Sequence, residues 1–72
     1  MDLSDTAAIY DALNLMSMSV LHAEGGSGRK AEESYFEASV AAMGAFPEGS
    51  AEAAALNVLL GAVAELARGV PA

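Results

Sequence analysis

From Leu13 to Leu21 large apolar residues fill six of nine positions: Leu13, Leu15, Met16, Met18, Val20 and Leu21. At about 3.6 residues per turn they point around most of a helical circumference, more than one small core covers. Ile9, Leu13, Met16 and Val20 follow the 4-3-4 spacing of a buried stripe, and Leu15, Met18 and Leu21 form a second stripe beside it. The first stripe is the candidate core. The second is the candidate partner-binding surface.

Two punctuation sites divide the chain. Gly25-Gly26-Ser27-Gly28 lacks helix propensity, and Phe46-Pro47-Glu48-Gly49-Ser50 is a turn followed by a good N-cap residue. The residues between them are helix formers, Ala above all, and strand-favouring runs of Val, Ile and Thr are missing. The pattern predicts an all-α domain over residues 1–72, with helices at about 4–23, 30–45 and 50–68. The first helix is expected to start at Ser4, with Asp5 in its first turn, where a carboxylate suits the dipole. In the second segment Tyr35, Ala38, Ala42 and Phe46 form one line, with Phe36, Val40 and Met43 adjacent. The third carries Leu56, Leu59, Leu60, Val63 and Leu66, with Ala53, Ala55, Ala62 and Ala67 leaving room for a neighbouring helix. Arg68, Gly69 and Pro71 form its stop signal. Short connections make sequential helices antiparallel neighbours, giving a three-helix bundle or an open helical array completed by homodimerisation. Met16 and Met43 are expected in the core, and Met18 at an interface.

Size sharpens the expectation of a partner. A 72-residue chain is one domain at most, and one this small buries only about 60% of the surface its unfolded form exposes. With no Cys there is no disulfide or thiolate-bound metal to add stability, which leaves association. Ten acidic residues against three basic ones give a net charge of -7, a potential that repels nucleic acid and anionic membranes and favours a partner protein with a basic surface. A hydrophobic content of 54% is too high for a solvated acidic tail. Met-Asp-Leu-Ser-Asp lacks the basic region of a secretory signal, and no apolar stretch reaches bilayer length, so a cytoplasmic location is expected.

Candidate chemistry is thin. Gly25-Gly26-Ser27-Gly28-Arg29-Lys30 superficially matches a phosphate-cradling loop, but no Ser or Thr follows Lys30, the glycine spacing differs and no strand precedes it. The stretch reads as a flexible linker, with Arg29 and Lys30 either pairing with Glu33 and Glu37 one turn along or meeting an acidic group on a partner. His22 and Glu24 have no second His or Cys to complete a metal shell. Asp2, Asp5 and Asp11 read as solvated helix faces, whereas Glu32, Glu33 and Glu37 cluster as a candidate acidic contact surface. Acyl carrier proteins, also small, acidic and helical, attach a prosthetic arm to a Ser preceded by Asp; Ser17 and Ser19 follow Met16 and Met18. Ala31, Tyr35 and Ala38 match the spacing of a tetratricopeptide helix, but the chain has no second copy at that period.

The expectation is a non-enzymatic protein-interaction module with no cofactor and no metal. Such a build suits an inhibitor or regulator, antitoxin-like or anti-CRISPR-like, that blocks a basic, nucleic-acid-binding protein. Leu15, Met18 and Leu21 would form its apolar contact and Glu32, Glu33 and Glu37 its acidic one. The alternative is a structural or docking subunit that self-associates within a larger assembly.

Overall fold

Each helix starts and stops on a local signal. A computed structural model describes residues 5–70, and in it α1 (Thr6–Glu24), α2 (Gly28–Ala42) and α3 (Ala51–Arg68) follow one another without strands among those residues. The expected roles of Ser4 and Pro71, and Asp2 with them, lie outside the described residues. Asp5 is itself the N-cap of α1: its Oδ1 accepts the Ala8 N–H at 3.2 Å, occupying one of the donors a helix start leaves unpaired. Ser50 does the same for α3, accepting from Ala53 N–H at 3.1 Å, and Gly69 closes that helix. Helix α2 begins at Gly28, two residues before the expected start, and ends at Ala42, three before the expected end. Gly26 and Gly49 take positive φ, the backbone state that glycine adopts without steric cost, one in each turn.

The helices run up, down and up. Ala23, Ala31, Ala67 and Val70 gather at one end, and the Asp5 N–H donates to the Ala45 carbonyl at 3.0 Å at the other. Between them lies the main core of Met16, Ala38, Ala45, Leu56, Leu60 and Val63, with Ile9, Leu15, Val20, Tyr35, Ala42 and Phe46 packed against it. The all-α reading and the three-helix bundle hold.

What the core is made of differs from the expectation. Six of the ten buried hydrophobic residues are alanines: Ala12, Ala23, Ala31, Ala38, Ala45 and Ala67. Helix α1 buries Ala12, Met16, Ser19 and Ala23, and α2 buries Gly28, Ala31, Ser34 and Ala38. These are 4-3-4 and 3-3-4 seams in which every side chain but Met16 is small, which lets the two backbones approach closely. The Ser19 hydroxyl, fully buried, donates to the Ala31 carbonyl at 2.7 Å across this seam, so its polarity is satisfied where no water reaches.

The small seam turns α1 by a fraction of a turn from its predicted pose. Ile9, Met16 and Val20 still face inward, but Leu13 is pushed to the edge and is exposed. Leu15, assigned to the outer stripe, is half-buried against the core. Met43 is not a core residue: it is 82% exposed, because it follows the last residue of α2 on the outward line of Phe36 and Val40. Helix α3 behaves as expected at Leu56, Leu60 and Val63, while Leu59 and Leu66 stay about half in solvent. Of the α3 alanines expected to admit a neighbouring helix, Ala67 packs against Ala23 and Ala31, Ala53 is half-buried and Ala55 and Ala62 are exposed, while the longer small-residue contact runs between α1 and α2.

Candidate functional site

Two helices touching along a seam of Ala and Ser leave the long side chains on either flank standing apart. On one flank this produces an open groove of about 770 Å³ between the second half of α1 and the first half of α2. Met18 and His22, one turn apart on α1, form one wall. Lys30, Ser34 and Glu37, with Arg29, Glu32, Glu33 and Phe36, form the other.

Both charged and apolar groups converge here. Met18 is 46% exposed and Phe36 67%, two flexible or flat hydrophobic surfaces of the kind that anchor protein contacts. Glu32, Glu33 and Glu37 stand around them with Arg29 and Lys30. The Arg29 Nε donates to Glu33 Oε1 at 3.3 Å, an exposed pair one turn apart that neutralises part of the rim. The local balance is therefore only mildly acidic, and long-range attraction of a cationic partner comes from the net charge of -7 over the whole chain.

The fold thus brings together Met18 from the apolar set and all three glutamates of the acidic set. It does not bring Leu15 and Leu21 there. Leu15 belongs to the core periphery, and Leu21, 67% exposed, does not line the groove. Phe36, His22 and Ser34 are the members that sequence pattern did not assign to the site. The signal for Phe36 is its place off the Tyr35–Ala38–Ala42 line, one residue round the helix from the core. His22 sits in the last turn of α1, where the chain reverses into α2.

A second groove, about 600 Å³, lies between α2 and α3, with Tyr35, Ser39 and Phe46 on one side and Ala53, Asn57 and Gly61 on the other. It carries a single carboxylate, Glu48, and no cation. Among the described residues no group of three His, Cys, Asp or Glu side chains is close enough to hold a metal ion, and no helix is long and apolar enough to cross a membrane.

Comparison of the chain with protein-family models, with curated proteins and with solved structures finds no match to any of them.

Proposed function

We propose that this protein is a non-catalytic docking module, a cytoplasmic inhibitor or regulator that seats a basic, nucleic-acid-binding partner protein in the groove between α1 and α2. The reading starts from composition: an acidic chain attracts a cationic surface and is repelled by the nucleic acid that such a surface normally holds. It gains its location from the groove, where Met18 and Phe36 supply apolar contact and Glu32, Glu33 and Glu37 supply partners for Lys and Arg. Apolar centre and polar rim is the ordinary anatomy of a protein interface. The observation that carries the reading is the inversion of the packing, with alanines inside and Met18, Leu21, Phe36, Val40 and Met43 outside. Hydrophobic side chains of this size left in water are surface available for burial on binding, at about 25 cal/mol per Å².

The test uses the full chain as bait in its host's lysate, beside a variant in which Glu32, Glu33 and Glu37 are all changed to Gln. Retention of strongly basic, nucleic-acid-binding proteins by the parent, weakened by the triple change and by rising salt, supports the proposal. Retention that ignores both the substitutions and the salt refutes it.

Self-association is the second reading, and α3 favours it. Val58, Leu59 and Leu66 are exposed on a helix that bears no charge from Ala53 to Ala64, so we propose that a homodimer covers part of the surface one copy leaves open.

A further inference from the structure

Helix α3 carries two hydrophobic seams, one residue apart. The first, Leu56, Leu60, Val63 and Ala67, is buried against α1 and α2. The second, Ala55, Leu59, Ala62 and Leu66, repeats the same 4-3-4 spacing and is exposed, with Leu59 at 51% and Leu66 at 44%. Ala53, Asn57 and Gly61 line the groove shared with α2, so the second seam lies on the other flank of α3, turned away from α2. A 4-3-4 seam of apolar residues is what a helix presents to another helix.

We infer that the occupant of this seam is the same seam of a second copy, packed antiparallel about a two-fold axis between Leu59 and Ala62. Self-complementarity is the argument. Run antiparallel, the alternation of small and large places Leu59 of one copy over Ala62 of the other and Leu66 over Ala55, so every layer holds one Leu and one Ala. Run parallel, Leu would meet Leu, Ala would meet Ala and leave a gap, and Glu52 would stand beside Glu52.

Charge selects the same occupant. A basic surface laid on this seam would strip water from its cations and offer them no carboxylate in its central layers, since α3 is uncharged from Ala53 to Ala64 and Glu65, beyond that stretch, is paired with Arg68 at 3.1 Å. A second copy laid antiparallel brings no charge to these layers, since Glu52, three residues before Ala55, then stands beyond them opposite Gly69. The molecule as a whole also exposes more surface than its size requires, 4728 Å² against roughly 4100 Å² for a compact monomer of 7.2 kDa.

This assignment rests on the self-association reading and adds to it the face, the direction and the register. It also leaves the groove between α1 and α2 uncovered, so one molecule dimerises through α3 and docks its partner through Met18, Phe36 and the glutamates.

Sedimentation equilibrium of the full chain tests it. The parent should be dimeric, and Leu59→Glu with Leu66→Glu should weaken the dimer about 100-fold or more while circular dichroism shows the helices retained, because each copy would bury two unpaired carboxylates. Phe36→Glu, on the far groove, should leave the dimer unchanged. Ala62→Leu alone should weaken it by crowding Leu59, and Leu59→Ala combined with Ala62→Leu should recover it, since the layer again holds one Leu and one Ala. Rising salt should tighten the dimer by screening two copies of charge -7, the opposite of its expected effect on a basic partner. A chain that is monomeric at all concentrations overturns self-association altogether. A dimer that survives the Leu59 and Leu66 changes, or that Phe36→Glu disrupts equally, overturns the α3 face, and a double variant that fails to recover overturns the antiparallel register.

Discussion

Ser19 allows the close contact of α1 and α2 to be tested by paired substitutions whose effects differ in sign of cause. Its hydroxyl donates to the Ala31 carbonyl at 2.7 Å in a site 1% exposed. Changing Ser19 to Ala deletes that hydrogen bond, a net loss of about 1 kcal/mol for a typical intramolecular bond. Two effects offset it. The Ala31 carbonyl lies within α2 and keeps its helical bond one turn on, so no acceptor is orphaned, and Ala is the better helix former by about 0.5 kcal/mol. The expected cost of Ser19→Ala is therefore about 0.5 kcal/mol. Ser19→Leu is different, since it adds two heavy atoms where the seam has no room and must push α1 and α2 apart, at about 1–3 kcal/mol or more. A chain of 72 residues has a total stability of about 4–11 kcal/mol, so the second variant removes a large fraction of it. Urea unfolding followed by far-ultraviolet circular dichroism separates them. With a slope of about 1 kcal/mol/M, Ser19→Ala shifts the midpoint by about 0.5 M and Ser19→Leu by about 1–3 M. Equal midpoints for the parent and Ser19→Leu would refute the small-residue contact, because a loosely packed seam accepts a larger side chain without loss.

Three further outcomes follow from the geometry of single residues. Ser50→Ala should cost about 1 kcal/mol by removing the acceptor for the Ala53 N–H, and Ser50→Asp should restore most of it, read by thermal unfolding. Gly49→Ala should destabilise by about 1–2 kcal/mol because its φ of 82° strains any residue with a Cβ. Gly61→Ala should do the reverse, gaining about 0.5–1 kcal/mol, since it lies mid-helix and an added Cβ meets nothing within 4 Å. Were both glycines to respond alike, backbone conformation would not be the cause.

The glycine and cap positions were legible because they are local. Ser50 and Gly69 act on residues within one turn, so their identity and spacing alone place the ends of α3, whereas Asp5, expected inside the first turn of α1, is its N-cap. Arg29 finding Glu33 is likewise a matter of four residues along one helix. The candidate groove was legible only in parts. Met18 and the three glutamates were named from the chain, but they belong to different helices, and nothing in their spacing says that the hairpin sets them side by side.

By itself, then, the sequence determined three helices, their order, their short antiparallel connections and an excess of large apolar side chains over what the fold can hide. Only the tertiary structure decided which of those side chains stay out. Periodicity ranks helix positions by hydrophobicity and favours Leu13 and Met43 for the interior, whereas the contact between α1 and α2 is governed by size. Ala12, Ser19, Ala31 and Ala38 go in because they let the backbones close, and Leu13, Phe36 and Met43 stay in solvent as the geometric consequence. A serine at the centre of that contact reads as polar in one dimension and becomes a buried, satisfied donor only when a second helix brings a carbonyl to it.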